Sequence, residues 1–329
     1  MANEKALAGS VVVITGASSG IGKAAALAFA AEGANVVLAA RRLAALEVTA
    51  QECRNLGVAA VAVAADTTDP RDVERIATRA LDEFGHFDVW INNASCLMFG
   101  SLEQTPADAY TRLVEVNLFG YVNGARCALS HFRERGRGVL INNASLFSIM
   151  PTGYTNAYTT TKHGVEGFSD ALRQELVPSQ DIHVVKILPA GVDTPILQHA
   201  ANYSGRTIRP LYPLVSAQRV AKVMVRSALR PRRAVVVGRL GRLNAALYHS
   251  APLLGGWVYG RMAAKALERA DPSPETHGNV FEPVADGIST SGGLRGRSRR
   301  WWVVPVGALV ALSAGELTRR WIRHARLGG

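Results

Sequence analysis

Six short runs of this chain are apolar without alternation: SVVVITG (10–16), ANVVLAA (34–40), VAAVAVAAD (58–66), FDVWINNAS (87–95), GVLINNAS (138–145) and IHVVKILPAG (182–191). A strand with one face in water alternates apolar and polar residues, whereas a strand covered on both faces does not. Between the runs lie longer stretches with helical spacing, such as KAAALAFAAEG, which ends at Gly33 where a glycine C-cap fits. Strand and helix in alternation predict an α/β fold, a doubly wound parallel sheet with helices on both faces. After about residue 195 the pattern loosens. Residues 196–215 carry Pro and Gly punctuation and read as an irregular lid. A helix over about 216–230 and a strand, RAVVVG (233–238), close the sheet, so residues 1–240 form one domain. Residues 241–270 read as a helical extension broken near Pro252 and at Gly255 and Gly256. Residues 271–300 are rich in Gly, Pro and Ser and read as a linker.

Charge divides the chain. Residues 1–190 hold 16 Lys and Arg against 19 Asp and Glu; residues 191–329 hold 21 against 7, giving +11 in total. The first part has the balance of an ordinary soluble enzyme, and the second favours anionic surroundings. Nucleic acid is not the expected partner, because the arginines are not interleaved with stacking aromatics and no nucleic-acid motif is present. The final segment, WWVVPVGALVALSAGEL (301–317), lies between arginines. Its uncharged stretch from Trp301 to Gly315 is 15 residues, about 22 Å as a helix, against a bilayer core of about 30 Å. Snorkelling arginines and Trp301, Trp302 and Trp321 can extend that reach. The expectation for 301–329 is association with an anionic membrane surface, in competition with packing on the protein or a partner subunit. Cys53, Cys96 and Cys127 form no CxxC or Cys/His cluster, so a metal is not expected and reduced thiols in the cytoplasm are. The N-terminal apolar run is too short for an export signal.

TGASSGIGKAAA, beginning at Thr15, follows the first strand and opens a helix. Gly16, Gly20 and Gly22 would permit a tight turn, close backbone approach and close helix–strand packing, with the helix N-terminus facing an anion. This context points to a dinucleotide pyrophosphate. The second strand ends in Arg41 and Arg42, with no acid between Glu32 and Glu47. An acid there would serve the ribose 2′-hydroxyl of NAD; guanidinium forks suit a 2′-phosphate, so NADP(H) is expected rather than NAD(H). Asp66, closing the third strand, can accept from the adenine amino group or cap a helix.

AYTTTKHG (157–164) places Tyr158 and Lys162 one helical turn apart, with Ser145 thirteen residues before the tyrosine. With these on the page, the chain resembles the short-chain dehydrogenase/reductase family over roughly residues 8–240. Thr15 to Gly22 matches that family's TGxxxGIG loop, INNAS (91–95) resembles its NNAG element, and Asn117 in EVNLFG matches its helical asparagine. Tyr158 and Lys162 form its YxxxK, and LPAGVDTP (188–195) resembles its PGxVxTP. Two departures lie near the nicotinamide side: Ser95 for the last glycine of NNAG, and Ala190 for the glycine after Pro189.

The resemblance implies a Rossmann fold, an NADP(H)-dependent oxidoreductase acting on a secondary alcohol or carbonyl, and a homodimer or homotetramer. It implies that Thr15, Gly16, Ser18, Ser19, Gly20, Ile21, Gly22, Arg41, Arg42 and Asp66 hold the cofactor. Asn93, Ala94, Tyr158, Lys162, Pro189, Val192 and Thr194 would complete that set, Thr194 at the carboxamide. Tyr158 would be the proton donor or acceptor, its pKa lowered by Lys162 and the positive nicotinamide. Ser145 would stabilise charge on the substrate oxygen, and Asn117 would hold a relay water to Lys162. Leu97, Leu146, Phe147, Ile149, Met150 and the lid are expected to line a pocket for a small hydrophobic substrate. The competing expectation is a sensor or scaffold that binds NADP(H) and turns over weakly.

Overall fold

The computed structural model describes residues 5–210 and 213–295, organised around a seven-stranded sheet in which every neighbouring pair is parallel. The strands are β1 (Val11–Thr15), β2 (Asn35–Ala40), β3 (Ala60–Ala64), β4 (Val89–Asn92), β5 (Gly138–Asn143), β6 (Ile182–Pro189) and β7 (Ala234–Val237). Their order is β3-β2-β1-β4-β5-β6-β7. This is the doubly wound, Rossmann-type sheet expected from the sequence, one strand in each apolar run. The helices are α1 (Gly20–Ala31), α2 (Leu43–Arg54), α3 (Pro70–Phe84), α4 (Ala107–Val114), α5 (Gly120–Arg135) and α6 (Asn156–Glu175), then α7 (Ala217–Leu229), α8 (Arg239–Ser250) and α9 (Pro252–Glu268).

The absence of alternation in the strands has its cause in the two layers of helix. Val12 and Ile14 of β1 pack into the core beneath α1, α2 and α7, while Val11 and Val13 enter the core beneath α3, α5 and α6. Successive side chains point to opposite faces, so both sets must be apolar, each fully buried Val or Ile contributing about 1.5–3 kcal/mol. The strand order reverses between β1 and β4, and the crevice beyond their C-terminal ends is where such a sheet accepts ligands.

The C-terminal part departs from expectation in two places. Gly255 and Gly256 do not break the helix: they lie inside α9, where a Cβ on Gly255 would stand 2.7 Å from the Tyr248 ring. The break falls at Ala251, and Pro252 occupies the first turn of α9, where its missing N–H costs nothing. Nor do residues 271–295 behave as a linker. They form bridges at Asn202–Thr276 and Arg206–Pro272 and then run along the body as an irregular strap. The glycines that suggest flexibility serve close approach instead: a Cβ on Gly292 would lie 2.5 Å from the Thr194 carbonyl oxygen. Residues 198–210 and 213–215, which follow a 3-10 turn at Pro195–Leu197, are irregular except for short pairings of Ala201–Asn202 with Met98–Phe99 and of Val215–Ser216 with Val192–Asp193, and the two bridges to the strap. The segment 301–329, expected at a membrane, lies outside the described residues. Among the described residues no helix is long and apolar enough to cross a membrane.

Candidate active site

A cavity of about 1090 Å³ opens at the C-terminal ends of β1, β4, β5 and β6, and gathers the glycine loop, the β2 arginines and the YxxxK pair on one wall system. Gly16 turns with φ +67°, and a Cβ there would stand 2.7 Å from the Ala94 Cα. A Cβ on Gly22 would fall 2.2 Å from the Gly16 carbonyl oxygen, so the first turn of α1 packs directly on the loop. Ser19, at the N-cap of α1, is extended and makes no side-chain cap bond. The Ser289 carbonyl takes the Gly20 N–H, and the next N–H groups of this first turn, behind a glycine cradle, fit a pyrophosphate. Thr15 and Asn93 hold the cradle to β4: the Thr15 hydroxyl accepts from the N–H groups of Asn93 (3.0 Å) and Ala94 (3.2 Å), and Asn93 Nδ2 donates to the Thr15 carbonyl at 2.9 Å. The cradle and donor set fit a dinucleotide. Ser18, Ile21, Pro189, Val192 and Thr194 also line the cavity.

At the opposite end Tyr158 and Lys162 project from α6, both buried. Lys162 Nζ donates to the Tyr121 hydroxyl at 3.2 Å and to the Asn143 carbonyl at 3.1 Å, and lies 5.5 Å from the centre of the Tyr158 ring. Burial lowers the Lys162 pKa to about 7. Burial raises Tyr158 to about 12, and the hydrogen bond with Ser145 offsets only part of that. In the protein by itself, then, desolvation outweighs a lysine whose own charge is disfavoured and whose bonds go elsewhere. The Ser145 oxygen accepts from the Phe147 N–H at 3.1 Å, which leaves its hydroxyl hydrogen for another acceptor.

The three threonines between the pair each have a structural task. Thr159 meets Thr155 at 3.3 Å, Thr160 accepts from the Tyr110 hydroxyl at 3.3 Å, and Thr161 donates to the Tyr158 carbonyl at 2.8 Å. Asn117 sits in a π-helical turn (Glu115–Phe119), a geometry common at functional sites. Its Oδ1 accepts from the Ser95 hydroxyl (3.0 Å) and the Cys96 N–H (2.8 Å), and its Nδ2 donates to the Cys96 carbonyl at 2.9 Å. The side chain is thus committed to the 95–96 turn, and Ser95, the departure from glycine, supplies one of its bonds. Ala190 is likewise accommodated, facing Gly238 and Gly241, where added Cβ atoms would approach its own at 3.1 and 3.2 Å.

One further expectation is corrected, and one side chain proves busier than expected. Asp66 lines the cavity, but its carboxylate is already engaged: Thr68 donates to Oδ1 from its N–H (3.0 Å) and hydroxyl (2.9 Å), and Arg112 pairs with Oδ2. Burial opposes ionisation of Asp66, but these donors outweigh it and hold the pKa below its usual value. Ile149 does not line the cavity; it packs into the core beside Leu188 and Tyr121. Leu97, Leu146, Phe147 and Met150 do line it, joined by Phe99, Tyr259 and Met262.

What sequence reading missed is a buried amide network. INNAS occurs twice, at 91–95 and 141–145, and the structure sets the copies side by side, Ile91 opposite Ile141 and Asn92 opposite Asn142. Asn92 Nδ2 donates to Asn142 Oδ1 at 3.0 Å, and Asn143 Nδ2 to Asn93 Oδ1 at 2.9 Å. The repeat itself was the available signal. Tyr121 was missed too, since nothing in GYVNG marks a tyrosine that holds Lys162. Replacing Tyr121 with Phe removes one bond to that ammonium and is expected to lower kcat/KM roughly tenfold, read by steady-state kinetics.

The comparisons agree with this geometry. The family model described as short chain dehydrogenase matches residues 10–203. An uncharacterized oxidoreductase, YxnA, of Bacillus subtilis is 32% identical over 303 residues, covering 91% of this chain and 85% of that protein. The 11-beta-hydroxysteroid dehydrogenase A of Sesamum indicum is 32% identical over 284 residues, 83% of this chain and 80% of that one. Among solved structures, a metagenomic short-chain oxidoreductase in complex with NADP superposes with TM-score 0.61 at 28% identity, covering 70% of this chain and 98% of its own.

Proposed function

Since the chain belongs to the short-chain dehydrogenase family, we propose that it is an NADP(H)-dependent oxidoreductase interconverting a hydrophobic secondary alcohol and the corresponding carbonyl compound. The observation that carries this reading is that Ser145, Tyr158 and Lys162 share one cavity with the glycine cradle and two arginines. When bound, the nicotinamide cofactor supplies or accepts a hydride at the carbinol carbon; this chain's residues do the rest. Tyr158 moves the proton at the substrate oxygen. With a pKa of about 12 in the protein alone its phenol is protonated at neutral pH, the form required to reduce a carbonyl. Ser145 donates its hydroxyl hydrogen to the same oxygen as negative charge develops there. Lys162 holds the nicotinamide ribose, and Tyr121 and the Asn143 carbonyl position its ammonium. Asn117 acts as a positioning residue through the Ser95–Cys96 turn.

NADP over NAD is supported by Arg41 and Arg42 at the end of β2, where no acid stands, and by the NADP bound to the solved relative. A lipophilic substrate is supported by the lining of Leu97, Phe99, Phe147, Met150 and Met262, and by the hydroxysteroid named for the sesame relative. The test is a panel of hydrophobic ketones and aldehydes with NADPH and with NADH, read as loss of reduced-cofactor absorbance. Turnover with NADPH in preference to NADH is expected. Tight NADPH binding without turnover on any member would favour the sensor instead. Arg42→Ala should weaken NADPH about tenfold or more by losing a charge-assisted phosphate bond, while NADH binding changes less than about twofold; fluorescence titration of both cofactors reads the difference.

A further inference from the structure

The strap beyond residue 276 lies past the residues matched by the family model, yet it spends its backbone carbonyls on the two β2 arginines. Arg41 donates from Nη1 to the Phe281 carbonyl at 2.6 Å and from Nη2 to the Asn279 carbonyl at 2.5 Å. Arg42 donates from Nη1 alone, to the carbonyls of Val284 (2.7 Å), Ala285 (2.9 Å) and Asp286 (2.8 Å). Among the described residues its Nε and Nη2 make no hydrogen bond. A guanidinium pinned by one terminal nitrogen keeps the other edge of its planar fork, the edge that matches a phosphate bidentately. Asn279 lines the cavity with Arg41 and Arg42, and its Oδ1 is buried without a hydrogen-bond partner among the described residues. A buried amide oxygen left without a donor is costly; Oδ1 is closed off from the cavity as it stands, and a ligand amine would satisfy it once the side chain turns outward.

The strap's seat is built. Asp193 Oδ1 accepts from the N–H groups of Gly292 (3.1 Å) and Leu294 (3.0 Å), and Oδ2 from the Ser291 hydroxyl at 2.8 Å. Gly287 has φ +74°, and a Cβ there would lie 2.4 Å from His199 Nε2. The Ser289 carbonyl accepts the Gly20 N–H at 3.0 Å, joining the strap to the cradle itself.

We propose that the strap, Asn279 to Leu294, is the outer wall of the adenosine half of the cofactor site. Its carbonyls orient Arg42 toward the 2′-phosphate, and the Asn279 amide oxygen receives the adenine amino group on the cavity wall it shares with Asp66. The inference rests on the NADP(H) reading. A flexible competitor for the arginines would make the opposite prediction, because releasing it would tighten the binding of NADPH.

The test is fluorescence titration of the full chain with NADPH and with NADH. Asn279→Ala should weaken both cofactors to a similar extent, about tenfold, since both carry adenine. Gly287→Val, which unseats the strap, should weaken NADPH about tenfold or more and NADH distinctly less. Asp193→Ala should do the same from the other end of the strap, should the valine variant not fold. Unchanged affinities in both strap variants, or tighter NADPH binding, would overturn the proposal. If the unaltered protein binds NADH as tightly as NADPH, it is the NADP(H) preference that fails; a loss of both cofactors in Asn279→Ala would then still uphold the adenine contact.

Discussion

Replacing Tyr158 with Phe is expected to lower kcat by about 10²- to 10⁴-fold, the range by which a positioned acid or base accelerates proton transfer. The change removes one oxygen from a buried ring that packs edge-on against Phe147 with centroids 6.2 Å apart, so the packing survives. NADPH affinity should stay within about threefold, because the arginines and the cradle lie at the other end of the cavity. Steady-state kinetics beside a binding titration separate the two effects. Full activity in the variant would remove Tyr158 from the proton path and with it the proposed mechanism.

Lys162→Met carries the second large effect, a loss of about 10²-fold or more in kcat/KM together with a changed pH profile. Burial sets the lysine at about 7 against an ordinary value of 10.5. Its positive charge is therefore present below about pH 7 and lost above, so affinity for the anionic cofactor should fall as pH rises through 7. The methionine variant should lack that limb. Folding stability moves the other way. Between about pH 7 and 10.5 the unfolded chain holds this proton and the folded chain does not, so Lys162 makes stability rise with pH across that window. The same variant should flatten the rise, measurable by denaturant titration at several pH values. A pH profile identical to that of the unaltered protein would show that Lys162 does not titrate there.

Much of the site was legible because its residues are close in sequence or dictated by local geometry. Tyr158 and Lys162 meet across one helical turn, and Gly16 and Gly22 are required by contacts within the same strand–turn–helix unit. Ile149 was misplaced, and the engagement of the Asp66 carboxylate was missed, because their partners are distant. Arg112, 46 positions away, takes the carboxylate, and Ile149 turns toward Tyr121 and Leu188. The proximity of Tyr158 to a lysine can likewise be read from spacing, but the burial that raises its pKa in the protein alone cannot.

The sequence by itself determined the parallel sheet, through strands apolar on both faces, and the identities of the groups placed at its C-terminal edge. Periodicity and local spacing carry that information because β-strands and helices repeat every two and 3.6 residues. Tertiary structure alone decided how 271–295 is used. Its composition reads as a linker, yet its carbonyls end on Arg41 and Arg42, some 240 positions earlier in the chain. Backbone carbonyls are the same in every residue, so no side-chain pattern announces where they bond. Only the folded chain brings the strap to the arginines.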